Sequence, residues 1–215
     1  MIRFDHVSKS FWTGGYQKVI LHNASFQVDV GYNLGILAPN GTGKSTLINM
    51  MAGLEKPDHG SIHRHGRISW PVGYNGGIVN AMTGSENIRY IARLYDRDEF
   101  ETLAFCIDFA ELGHYIDLPV RTYSSGMRSR LSFALLMAID FDFYLVDEGA
   151  SAGDKRFNQR AAEMFRERLQ YSTLIMVSHS AETLNQYCSQ AAVLKDGTLH
   201  MFDTLEEAKE LYAYE

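Results

Sequence analysis

The sequence predicts an α/β fold in which a helical block interrupts a sheet core. Three observations predict it. Short apolar, strand-like runs occupy both ends of the chain, and a long helical stretch lies between them. A Gly-rich loop, APNGTGKS (residues 38–45), follows an apolar strand and opens a helix. Strands, then helices, then strands again fit an α/β core carrying an insertion.

Each element follows from its residues. IRFDHV and VILHNASFQVDV read as strands, with NAS as a turn or break in the second. NLGIL is a short apolar strand that runs into the Gly-rich loop. Residues 44–54 are helical and end near the Pro57–Asp58 turn. GSIHRHGRISW alternates and is strand-rich. The character changes after Trp70. In MTGSENIRYIARLY, Thr83 and Glu86 stand three apart, the spacing of a capping box. From there to about Asp140 the chain is mainly helical. FYLV and TLIMV are two apolar strands, separated by an amphipathic helix over 155–170. LEEAKELYAYE is a final helix. A length of 215 residues suits one domain with a single core, with the helical insertion at about 75–140.

Bulk properties narrow the function. A formal charge of −6 provides no basic field for nucleic acid or an acidic bilayer. The two cysteines, Cys106 and Cys188, form no CxxC pair, which argues against a disulfide framework or zinc site and fits a reducing cytosol. The first residues, MIRFDHVSKSFW, lack the apolar region of a secretory signal. The longest apolar run, residues 133–139, is far too short to cross a bilayer, so any membrane crossing falls to another chain. His63 and His65 share a strand face, but two ligands without a third are more often surface histidines.

Four motifs carry chemistry. In the Gly-rich loop, Gly41 and Gly43 let successive N–H groups turn inward, and the helix N-terminus adds to their attraction for polyphosphate. Lys44 is placed to reach the β- and γ-phosphates, and the Ser45 hydroxyl to ligate Mg²⁺. Ala38 stands where such loops usually begin with Gly; before Pro39 it is biased to extended backbone, where a methyl group is tolerable. FYLVDE (residues 143–148) delivers two acids to the C-terminal end of a buried strand: Asp147 to hold Mg²⁺ through water and Glu148 to polarise the attacking water. The plainer alternative is a solvated acidic turn. TYSSGMRSRL (residues 122–131) places Ser124, Ser125 and Gly126 before a helix, either to offer N–H groups to an anion or simply to cap it. LIMVSHS (residues 174–180) ends a strand expected beside that of Asp147 and carries His179, either a γ-phosphate partner or a lone surface histidine.

Together and in this order the motifs resemble those of the ATP-binding cassette (ABC) ATPases. APNGTGKST looks like the Walker A loop, FYLVDE like Walker B, YSSGM like the signature usually written LSGGQ, SAGD (residues 151–154) like the D-loop and His179 like the switch histidine. ISWPVG with the following GG, TGSENIRYIARLY and ELGHYIDLPVRTYSSGMRSRL are similar to one branch, the ATPases that export capsular polysaccharide from Gram-negative bacteria. The resemblance implies a P-loop NTPase core, RecA-like, with a mixed sheet, an antiparallel β subdomain and an inserted helical subdomain. It implies ATP and Mg²⁺ as cofactors. Nucleotide would bind at Phe11, Asn40, Gly41, Thr42, Gly43, Lys44, Ser45 and Thr46, with Ser124, Ser125, Gly126 and Met127 contributed by an opposing copy. Trp12 and Tyr16 rival Phe11 as the aromatic on adenine. Glu148, His179 and Lys44 would be catalytic, and Ser45 and Asp147 would hold the metal.

The resemblance also implies partners: a second copy, integral membrane permease subunits and, indirectly, a wider capsule export assembly, at the cytoplasmic face of the inner membrane and without nucleic acid. Alternatives are the ATPase of an O-antigen or teichoic-acid exporter, or an ABC-type ATPase not tied to transport. Departures from the general pattern are Ala38, Ser125, Met127 and Gly149. No glutamine lies between Ser61 and Tyr90, where the family's Q-loop belongs; Tyr74, Asn75, Val79 and Asn80 are the local residues.

Overall fold

The computed structural model describes residues 1–72, 77–147 and 155–213, and side chains throughout these except Thr13, Lys155 and Ala213. Glu148, the SAGD segment, and Tyr74 and Asn75 lie outside the described residues. The chain forms two compact units. One comprises Met1–Pro71, Phe141–Glu148 and Tyr171–Glu215; the other comprises Val72–Asp140 and Gly149–Gln170.

The first unit holds both sheets. Strands β1 (Ile2–Thr13), β2 (Tyr16–Val28) and β4 (His59–Arg64) form an antiparallel sheet in the order β2-β1-β4. The NAS stretch does not break β2. It sits at an irregular register against β1, with Asn23 at φ 47°, so the strand bends and continues. The second sheet has the order β5-β6-β3-β7-β8, built from β3 (Leu34–Leu37), β5 (Phe143–Asp147), β6 (Thr173–Ser178), β7 (Gln190–Lys195) and β8 (Thr198–Phe202). The first four run parallel, and β8 closes the edge antiparallel. Strands β3 and β6 are buried at every position, as parallel strands covered on both faces must be.

Sequence reasoning did not anticipate β7 and β8. Their hairpin turns at Asp196–Gly197, both at positive φ (48° and 75°), the backbone a two-residue turn with the strands' twist requires.

Helix α1 (Lys44–Ala52) carries the loop into the core. Leu47, Ile48, Met50 and Met51 are fully buried and share one cluster with Ile2, Phe4 and Leu21 of the antiparallel sheet and Leu34, Ile36, Leu145 and Val177 of the parallel one. The helix stops where Gly53, at φ 79°, donates its N–H back to Asn49 and Met50 carbonyls.

The second unit is helical: α2 (Gly84–Leu94), α3 (Glu99–Ala110), α4 (Ser125–Ala138) and α5 (Lys155–Arg168). Thr83 and Glu86 do form the capping box of α2, and Asp98 caps α3 through the N–H groups of Phe100 and Glu101. The centre is aromatic. Fully buried Phe109 stacks near Phe105 and Phe133, and Phe157 of α5 meets it edge-on at 5.5 Å. Arg160 covers Phe109 at 4.9 Å while pairing with Asp108 and Glu111. Asn87 is fully buried; its amide oxygen accepts from the Val79 N–H at 2.7 Å and its amide nitrogen donates to Val79 and Thr83 carbonyls. Among the described residues, no helix is long and apolar enough to cross a membrane.

Candidate functional site: a cavity over the Gly-rich loop

In the first unit, the C-terminal ends of β3, β5 and β6 converge. Because the three strands are parallel and β6 lies between the others, the loop after β3, Asp147 at the end of β5 and His179 beyond β6 open to the same side. A cavity of about 640 Å³ lies there, lined by Phe11, Lys18, Ile20, Asn40, Gly41, Gly43, Lys44, Ser45, Thr46, Asp147 and His179.

The loop is built from the core outward. Ala38 is fully buried among the apolar residues and its N–H donates to the Ser178 carbonyl at 3.1 Å. It is not at positive φ, so its methyl group fills core space instead of obstructing the cradle. That bond also ties the loop's entrance to the residue before His179. The Tyr212 hydroxyl of the helix Leu205–Ala213 donates to the His179 carbonyl at 3.3 Å. Thr42 closes the turn by donating its hydroxyl to the Pro39 carbonyl at 2.8 Å.

Gly43 is required twice over. Its φ is 110°, and an added Cβ would lie 2.6 Å from Ile20 Cγ2. It caps α1 without any side-chain hydrogen bond, and the first turn carries no acid. The helix therefore presents its first N–H groups and the positive end of its dipole to the cavity.

Lys44 folds back over the loop. Its ammonium donates to the Ala38 carbonyl at 3.0 Å, the Pro39 carbonyl at 3.2 Å and Asn40 Oδ1 at 3.0 Å. All three are neutral oxygens, against which phosphate oxygens compete well for a cation. The Ser45 hydroxyl donates to Asp147 Oδ2 at 2.5 Å. A hydroxyl and a carboxylate oxygen side by side at the mouth of an anion cradle suit Mg²⁺, which takes hard oxygen ligands and keeps its remaining positions for water and substrate phosphate.

The β1–β2 register selects among the three aromatics. Phe11 stands directly opposite Lys18, and Lys18 and Ile20 share a face of β2, so all three point at the cavity. Trp12 is opposite Gln17 on the other face, and neither it nor Tyr16 lines the cavity. Phe11 is 38 % exposed, against 73 % for Trp12 and 81 % for Tyr16. Beneath the ring, the Lys9 ammonium sits 4.8 Å from its centroid. Lys9 is itself held by Glu55 at 2.5 Å and by Asp58. The hydrogen bond to Glu55 is the main reason its pKa is raised, and the Ser10 N–H is the main reason that of Asp58 is lowered.

Lys18 and Ile20 are lining residues that sequence reasoning did not single out. The remaining expected residues, Ser124, Ser125, Gly126 and Met127, belong to the helical unit. Ser124 caps α4, its hydroxyl oxygen accepting from the Met127 N–H at 3.2 Å, and Ser124 and Ser125 are exposed. His63 faces Asp5 at 3.2 Å, and no group of three or more His, Cys, Asp or Glu residues among the described residues could hold a metal ion.

Residues 21–151 match the family model described as ABC transporter. The chain is 42 % identical over 212 residues to the capsule polysaccharide export ATP-binding protein CtrD of Neisseria meningitidis, covering 99 % of this chain and 98 % of CtrD. It is 43 % identical over 211 residues to the polysialic acid transport ATP-binding protein KpsT of Escherichia coli, covering 97 % and 96 %. In fold it resembles the ATP-binding cassette MJ0796, solved as a dimer bound to ADP and Pi, with a TM-score of 0.77 at 20 % identity over 95 % of this chain and 99 % of that one. With a family model spanning more than half its length and relatives matched almost end to end, the chain belongs to the ABC transporter family, as one of its ATPases.

Proposed function

We propose that the chain is the ATP-hydrolysing subunit of an exporter that moves capsular polysaccharide, as a lipid-linked glycan, across the bacterial inner membrane. The observation that carries the nucleotide chemistry is the single cavity that gathers the loop, Lys44, Ser45, Asp147, His179 and Phe11. The cargo is supported by the near end-to-end likeness to CtrD and KpsT.

Each residue then has a task. Phe11 stacks on the adenine. The amides from Asn40 to Thr46 and the open end of α1 bind the phosphates, and Lys44 leaves its carbonyl partners for them. Ser45 and Asp147 would hold Mg²⁺, which offsets negative charge on the phosphate chain. His179 reaches the γ-phosphate, and Glu148, next after Asp147, orients and polarises the attacking water. Catalysis rests on positioning and charge stabilisation, with no covalent intermediate. A second copy supplies Ser124, Ser125, Gly126 and Met127 over the same nucleotide, so that γ-phosphate contacts favour the closed pair and hydrolysis releases it. The membrane crossing belongs to permease subunits, which place this chain peripherally on the cytoplasmic face.

The test is complementation. In cells lacking the native gene, the wild-type chain should restore surface glycan. The Glu148→Gln variant should bind ATP but hydrolyse it about 10²-fold or more slowly, the scale for a lost positioned base, and leave the surface bare. Full surface glycan with that variant would contradict the proposal.

A further inference from the structure

We propose that Lys18 is a second phosphate-binding cation of the nucleotide cavity, acting beside Lys44. The inference rests on the nucleotide reading above and adds a residue to it.

Position comes first. Lys18 is on β2, one strand position pair away from Ile20, which packs against Gly43 at the start of α1. This fixes the face of β2 toward the loop. The Lys18 ammonium reaches the loop itself: it lies 4.0 Å from where a Cβ on Gly41 would stand. Across the β1–β2 ladder it is paired with Phe11. Lys18 therefore spans the space between the ring proposed for the base and the amides proposed for the phosphates.

Charge comes second. Of the cavity's two lysines, Lys44 spends its ammonium on three loop oxygens. Among the described residues the Lys18 ammonium makes no hydrogen bond or ion pair. Among the described lining residues the acid is Asp147, and it is engaged with Ser45. The structure keeps Lys9, a near neighbour on β1, tightly paired with Glu55 and Asp58 of the segment between α1 and β4, so carboxylates lie beside this sheet yet are not spent on Lys18. A lysine held over an anion cradle without a carboxylate of its own is suited to a polyanion that bridges base and loop.

The test uses the whole chain and displacement of a fluorescent ATP analogue by ATP and by inorganic triphosphate, which lacks the base and sugar. Lys18→Gln should weaken both competitors about tenfold, the scale of one charge-assisted hydrogen bond at a wet site. Lys18→Arg should recover most of the loss, and the difference between wild type and Lys18→Gln should shrink as salt is raised. Gln17→Ala, on the opposite face of β2, should change neither affinity. Equal ATP affinity for wild type and Lys18→Gln would overturn the proposal. So would a loss for ATP without a loss for triphosphate, which would move Lys18 to the base, or a loss shared by Lys18→Arg with a lowered unfolding midpoint, which would make its role structural. A wild-type chain that binds neither competitor would instead overturn the nucleotide reading itself, and this proposal with it.

Discussion

At the residue scale, the Gly-rich loop separates two kinds of small residue. Ala38 is a core residue that happens to begin the loop; Gly43 is a backbone device. Ala38→Gly should therefore leave nucleotide affinity unchanged and cost about 1–2 kcal/mol of stability, through added chain freedom and the loss of a buried methyl group, measured by denaturant titration. Gly43→Ala should abolish nucleotide binding, because the methyl group meets Ile20 and the backbone must leave φ 110°. Removing the clash alone, in Gly43→Ala with Ile20→Ala, should not restore binding, since the backbone strain remains. Full affinity in either Gly43 variant would contradict this account. The loop's place between strand and helix, lining the cavity, was legible in the sequence because GKS in that setting has few other uses. Lys18 was not, since its aim depends on a β1–β2 register that shifts three times before Phe11.

At the element scale, several elements, though not every one with a local signal, were legible from a few residues. The capping box at Thr83 and the apolar strands β5 and β6 each declare themselves within a few residues, and so does the start of α4, although Ser125 and Gly126, expected before the helix, belong to it. NAS looked like a break and proved a bend, because a strand paired along its length tolerates one residue at positive φ more readily than it gives up its ladder. The β7–β8 hairpin carried a signal, Asp-Gly between two apolar runs, that sequence reasoning passed over. Asn87 shows what local reading misses altogether: a polar residue inside an amphipathic helix that turns out to be fully buried and to hold the preceding segment by three hydrogen bonds. Asn87→Leu should strand the polar groups of Val79 and destabilise the chain by about 1–3 kcal/mol in urea unfolding. A cost within a few tenths would show that the network contributes nothing.

At the scale of the whole molecule, the two cysteines report separately on the two units, Cys106 on the helical one and Cys188 on the one holding the sheets. Burial pushes both thiols up to about 12. At pH 8 the thiolate fraction in the folded chain is then roughly 10⁻⁴, and thiol reagents attack the thiolate. Both should label slowly in buffer and quickly in guanidinium. Prompt labelling of the fully buried Cys106 without denaturant would show that the helical unit opens on its own. Strand order in the parallel sheet, which puts β6 between the loop strand and the Asp147 strand, was only partly legible: the β5–β6 neighbourhood could be expected, whereas the place of β7 beside β3 is decided by long-range packing.

The proposed function stands on Lys44, Ser45, Asp147 and the loop amides of one chain holding a magnesium-bound triphosphate together. Equilibrium binding of ATP to the purified chain, with and without Mg²⁺, for wild type and Lys44→Ala, tests it most directly. Binding should strengthen with Mg²⁺ in the wild type and fall about tenfold or more in the variant, the scale of a lost charge-assisted contact. Equal ATP affinity in the two proteins, indifferent to Mg²⁺, would contradict it.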